Sequence, residues 1–222
     1  MLVPVVGKGV PFTFDQVAAL QNRPEQANRR EQSRATIFLE GFMVRAFQKR
    51  ETYGKITSPR NISTVPGSHQ LLLSSYTYAF KEDCLKVLPW FHPGLNPMDV
   101  AQRIYALAHR SGGVSLLCKD FSKYDGTISP WLRLHVEQAA YLRWVNPQDR
   151  SILLTLLKQE VGAVGVTQMG VRYDCGASRL SGSPLTSDAN TFINAFVSYC
   201  SYREAGIGKI EAWESLGLYC GD

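Results

Sequence analysis

No CxxC pair, no internal repeat, no low-complexity tract and no long apolar run occur in this sequence. The five cysteines, at 84, 118, 175, 200 and 220, are odd in number and far apart. Neither a disulfide framework nor a structural zinc site is expected from them, and a reducing compartment suits them. No stretch approaches the ~18 apolar residues of a membrane span, and the opening MLVPVVGKGVPF lacks the basic region that precedes the apolar run of a signal peptide. The glycines of GKGVPF lack the strand, helix and Lys-Ser/Thr of a phosphate-binding loop, and the four histidines, at 69, 92, 109 and 135, show no ligand spacing. An acidic excess is also missing. The 24 Lys and Arg against 19 Asp and Glu give a formal charge of +5, which allows a polyanionic partner without demanding one.

What is present suffices for an ordinary core: 222 residues, 45% hydrophobic and 19% charged. The apolar spacing of TIFLEGFMVRAFQK predicts a helix from Thr36 to Lys49, followed by a polar loop with Gly54 and Pro59. QLLLSSYTYAFKEDCLKVL is helical in pattern, and Asn96-Pro97 opens a helix through His109. VSLL begins a buried strand over 114–120. Ser129-Pro130 and Asn146-Pro147 open helices at about 130–145 and 147–161. VGVTQMGVRYDCG alternates as a hairpin turning at Met169-Gly170, and the loop GASRLSGSP enters a helix, TSDANTFINAFVSYCSYR. The last run, GLYCGD, reads as a strand that stops at Asp222 with neither cap nor polar tail, which leads us to expect a piece of a longer protein.

Two stretches carry chemistry. In CKDFSKYDGTISP, Asp120 and Asp125 sit at a strand-to-helix junction, where carboxylates project from a sheet end into the cleft beyond; such a loop is either a metal- or phosphate-handling site or a solvated turn. In SGSPLTSDANT, Gly182 supplies backbone freedom, and Thr186 and Asn190, four apart, present a hydroxyl and an amide on one helix face.

Asp120-x4-Asp125, then Ser181-Gly182-x3-Thr186-x3-Asn190-Thr191, then a strand ending Gly221-Asp222, resembles motifs A, B and the opening of C of the viral RNA-dependent RNA polymerases of positive-strand RNA viruses. The spacing matches too, with about 55 residues from the first to the second and about 30 from there to the third. Lys55-x3-Pro59-Arg60-Asn61-Ile62 resembles motif F, and its context is similar to nodavirus-like or tombusvirus-like replicases.

The resemblance implies an α+β right-hand polymerase fragment: helical fingers over 1–110, including the motif F-like loop, and part of the palm with its antiparallel sheet over 111–222, the thumb being absent. It implies template-directed phosphodiester formation from NTPs by a two-metal mechanism in viral genome replication. Asp120 and Asp222 would be catalytic metal ligands for Mg²⁺ or Mn²⁺, since hard cations take carboxylate oxygens. Asp125, Thr186 and Asn190 would bind the ribose of the incoming nucleotide and select its 2′-hydroxyl. Ser181 and Gly182 would form a loop moving with template and nucleotide, and Lys55 and Arg60 would hold the triphosphate. Most of the family carries a second Asp after the position of Asp222. The sequence stops before it, so impaired catalysis is expected of the 222-residue piece.

The partners implied are RNA template, nascent RNA, NTPs and other viral replication proteins, and the implied location is host cytoplasm, at membrane-associated replication sites of the full-length protein. Two rivals stand beside this reading. One is a reverse-transcriptase-like palm polymerase, against which Asp125 argues, because those enzymes usually carry a bulky aromatic there. The other is a non-enzymatic RNA-binding module with structural carboxylates.

Overall fold

A computed structural model describes residues 2–36, 41–52, 54–112 and 117–221. The order of elements is α1 (Phe14–Leu20), α2 (Pro24–Thr36), β1 (Val44–Gln48), β2 (Asn61–Thr64), α3 (Gly67–Phe80), α4 (Pro97–Arg110), α5 (Tyr124–Thr127), α6 (Pro130–Leu132), α7 (Ala139–Trp144), α8 (Arg150–Gln159), β3 (Val164–Thr167), β4 (Arg172–Asp174), α9 (Thr186–Glu204) and α10 (Lys209–Glu214). Two π-helical segments continue neighbouring helices: Lys81–Leu85 extends α3, and Arg133–Gln138 links α6 to α7.

Local chemistry sets several boundaries. Asn96 accepts from the Asp99 amide at 2.9 Å with Pro97 at the first helical position, and Ser129 accepts from the Leu132 amide ahead of Pro130. The start expected at Asn146-Pro147 is a turn instead. Asn146 Oδ1 takes the Asp149 amide, and α8 begins at Arg150.

The sheet runs β2-β1-β3-β4. β1 pairs antiparallel with β2, Arg45 opposite Thr64, and parallel with β3, Val44 opposite Gly165; β3 and β4 form the expected hairpin, with Gly170 at φ 79 in its turn. The sheet is thus mixed, while its one pair of strands drawn wholly from 111–222, β3 and β4, is antiparallel. The long, largely helical connection from β1 to β3 permits the parallel pairing. Two of its strands lie before residue 110 and two after it.

Three further expectations need correction. Within the helix expected over Thr36–Lys49, residues 37–40 lie outside the described residues, and Val44–Gln48 is a strand. Val44 and Ala46 are buried while Arg45 and Phe47 face outward, the period of two of a pleated strand with one face on a core. Of the strand expected over 114–120, residues 114–116 also lie outside the described residues; Leu117 to Asp120 are exposed and form no strand. The strand expected at the chain's end is a single parallel bridge, Phe91 to Tyr219.

One large core joins α3, α7, α8 and α9. Phe80 packs against Tyr141 at 4.2 Å between ring centroids, against Trp144 at 5.6 Å and against Phe192 at 6.3 Å. Truncating such a buried aromatic costs about 3–5 kcal/mol. A smaller core under the sheet gathers Val44, Val65, Ala163, Cys175 and Leu180. Among the described residues no helix is long and apolar enough to cross a membrane.

Candidate functional site

α9 is the element on which the site is assembled. Nearly its whole first half is buried, from Asp188 to Ala195, so polar side chains there must find partners inside the protein.

Asn190 lies on this buried stretch and bonds on both sides. Its Nδ2 donates to Asp125 Oδ1 at 2.8 Å, and its Oδ1 accepts from Arg179 Nε at 2.9 Å. Asp125 stands on α5, a single turn entered through Lys123 at φ 55, a left-handed backbone that costs a non-glycine residue about 1–2 kcal/mol. Tyr124 fixes that turn by donating its hydroxyl to Asn190 O at 3.2 Å, and the Arg179 amide donates to Asp125 O at 2.9 Å. The structure therefore brings Asp125 and Asn190 together. Thr186, one turn earlier, instead donates its hydroxyl to Leu180 O at 2.8 Å and braces the loop that enters α9.

That loop is pinned to the sheet. Ser181 Oγ accepts from the Ser63 amide at 2.9 Å, and the Gly182 amide donates to Ser63 O at 2.8 Å. A Cβ on Gly182 would stand 2.7 Å from Ser63 O and 3.2 Å from Thr64 Cα, so only glycine permits this approach to β2. β2 follows the basic loop. Lys55 and Arg60 are exposed on it, a few residues ahead of the Ser63 contact, with Lys49 N bonded to Arg60 O at 2.8 Å and Arg60 Nη1 3.9 Å from Glu51.

Asp120 is an exposed carboxylate, and its neighbour Lys119 donates to Ser198 Oγ on α9. The Lys119 ammonium sits 5.5 Å from the rings of both Phe121 and Tyr219, and partial desolvation lowers its pKa. Asp222 lies outside the described residues. The residue before it is held by the same helix: the Gly221 amide donates to Thr191 Oγ1 at 2.9 Å, and Asn194 Nδ2 donates to Gly221 O at 2.9 Å. Thr191, Asn194 and Ser198 are three and four residues apart, one stripe of α9. The chain next to Asp120 and the chain next to Asp222 thus dock on that stripe.

Oxygen donors such as Asp120 suit Mg²⁺ or Mn²⁺ rather than a soft metal. Among the described residues no group of three His, Cys, Asp or Glu gathers as a metal site.

Behind the Asp125–Asn190 pair lies a buried ionic cluster that no motif in the sequence announces. Arg133 Nη1 donates to Glu137 Oε1 at 2.9 Å, Arg179 Nη2 pairs with Glu137 Oε2, and Arg133 Nη1 is 3.9 Å from Glu160 Oε2. Glu160 Oε1 accepts from Ser183 Oγ at 2.6 Å and faces His69 Nε2 at 3.1 Å. Burial pushes the Glu137 carboxyl up, but the charges of Arg179 and Arg133 and their hydrogen bonds outweigh it, and the net direction is down. On the opposite side of α9, burial pushes the Asp188 carboxyl up, which Lys81 at 3.0 Å only partly offsets. The four-residue spacing of Arg133 and Glu137 was a readable signal for half of the cluster. Nothing local pointed to Arg179.

Comparison with known proteins finds matches over most or all of the chain. A family model described as viral RNA-dependent RNA polymerase matches residues 69–220, the span that contains the Asp125–Asn190 pair and the α9 stripe. The chain is 44% identical over 223 residues to a protein named RNA-directed RNA polymerase from Striped jack nervous necrosis virus, covering 100% of this chain and 22% of that one. It is 38% identical over 216 residues to the protein of that name from Pariacoto virus (97% and 22%), and 35% identical over 230 residues to that from Nodamura virus strain Mag115 (100% and 22%). The chain thus spans 22% of the length of these curated relatives.

Proposed function

This chain belongs to the viral RNA-dependent RNA polymerase family, and from that premise we propose that the protein containing it synthesises RNA on an RNA template from NTPs during viral genome replication. One observation carries the reading furthest: a single stripe of α9 holds Lys119, beside Asp120, and Gly221, beside Asp222. Two acids on neighbouring backbone segments are what nucleotidyl transfer needs, because each carboxylate contributes oxygens to shared divalent ions. Asp120 and Asp222 would hold Mg²⁺ or Mn²⁺, which lowers the pKa of an attacking hydroxyl and neutralises phosphate charge. The residues around them bind and orient. Asp125 and Asn190 select the ribose, Thr186 braces the loop entering α9, and Ser181 and Gly182 hold that loop against β2. Lys55 and Arg60, exposed after β1, attract the triphosphate.

In this reading residues 1–110 supply fingers and 111–222 part of the palm. RNA template, nascent RNA and other viral replication proteins are the partners, and the site of action is host cytoplasm at membrane-associated replication complexes. The Asp125–Asn190 pair favours an RNA product over a reverse-transcriptase-like activity, since a 2′-hydroxyl can bond both polar groups and a deoxy sugar, which lacks it, cannot.

The test is templated extension by the full-length protein with either NTPs or dNTPs. Template-dependent RNA is expected. A DNA product, or RNA binding without synthesis, would overturn the proposal.

A further inference from the structure

We propose that Arg179 is a positioning residue for sugar selection, fixing the direction in which the Asn190 amide faces Asp125. This rests on the reading that Asp125 and Asn190 contact the ribose.

A carboxamide can sit in a pocket two ways round, and the neighbours decide which. A guanidinium only donates. With Arg179 Nε 2.9 Å from Asn190, the amide oxygen must face Arg179, and its NH₂ must face the Asp125 carboxylate, 2.8 Å away. Turning the amide over would set donor against donor on one side and oxygen against carboxylate on the other, so both bonds would be lost. A ribose arriving beside the pair therefore meets a donor on Asn190 and an acceptor on Asp125 in fixed order.

Arg179 is itself immobilised. Its Nη2 pairs with Glu137, both side chains being buried, and Glu137 is held from the far side by Arg133 at 2.9 Å. Arg133 is anchored by Nε on Ala177 O at 3.0 Å and by Nη2 on Ser178 O at 2.9 Å, the residues just ahead of Arg179. The Arg179 amide meanwhile bonds Asp125 O at 2.9 Å, so this one residue holds the backbone of one member of the pair and the side chain of the other. A core ion pair needs only opposite charges. The Nε contact with Asn190 is the feature that such a role leaves unused.

The experiment uses the full-length polymerase and reads kcat/KM for an NTP against that for the matching dNTP. Arg179→Lys keeps a cation for Glu137 but loses the fork that reaches Asn190. The expected result is a fall of about tenfold or more in the NTP-to-dNTP ratio. In an Asn190→Ala background the same change should lower the ratio no further, since it acts through that amide. If Arg179→Lys does not fold, Glu137→Gln, which leaves Arg179 in place without its charged anchor, should shift the ratio in the same sense. Equal losses for both sugars in Arg179→Lys, or effects of Arg179→Lys and Asn190→Ala that multiply, would reduce Arg179 to a structural ion pair and overturn the proposal. An Asn190→Ala enzyme with unchanged sugar preference would overturn the ribose assignment itself.

Discussion

Gly182 approaches Ser63 so closely that its amide donates to the Ser63 carbonyl at 2.8 Å, while a Cβ in its place would stand 2.7 Å from that same oxygen. The loop entering α9 is thereby stitched to β2, the strand that follows the basic loop.

Gly182→Ala should break this stitch. The loss of the backbone bond and displacement of the loop are expected to cost about 1–2 kcal/mol, or roughly 2–8 °C in melting temperature for a chain of this size. Thermal unfolding of the chain checks it, and KM for NTPs in the full-length protein should rise as the loop loses its register.

Asp125→Ala removes the acceptor of the pair and leaves the Asn190 NH₂ without it, while Arg179 still holds the amide oxygen. In the full-length protein the NTP-to-dNTP preference should drop by at least about 10²-fold, because the carboxylate that can accept from a 2′-hydroxyl is gone. Competition between labelled NTP and dNTP on one RNA template measures it.

Glu137 gives a pH signature. Its folded pKa is held below the ordinary 4.5 once the opposing effect of burial is overcome by Arg179 and Arg133. A carboxyl depressed in the folded state contributes stability that is present above about pH 4.5 and is lost as pH falls through its folded pKa. Glu137→Gln should therefore lie furthest below the unsubstituted chain near neutral pH, by about 3–5 kcal/mol. The gap should narrow below about pH 4.5. Melting temperatures of both chains across that range show whether it does.

Parts of this structure could be read from the letters because the signals were local. Asn96-Pro97 and Ser129-Pro130 cap their own helices, and Met169-Gly170 turns its own hairpin. The Thr186-x3-Asn190 spacing placed both side chains on α9, although only Asn190 reaches Asp125. β1 is not legible locally because VRAFQ fits either period, and what decides is pairing with Thr64 on one side and Gly165 on the other, far along the chain. Arg179 escaped notice for the same reason. Its partners, Glu137 and Asn190, are neighbours only after folding. Asp120 is described and exposed, whereas Asp222 lies outside the described residues, so the proposal that the two share metal ions rests on Lys119 and Gly221 beside them.

The measurement that goes most directly to the centre is RNA-templated RNA synthesis by the full-length protein carrying Asp120→Asn, with RNA affinity measured alongside. Removing a metal-binding carboxylate takes away several kcal/mol of transition-state charge stabilisation, so synthesis should fall by at least about 10²–10³-fold while RNA binding changes little. Undiminished synthesis in that variant would contradict the assignment of Asp120 and leave the α9 stripe as packing alone.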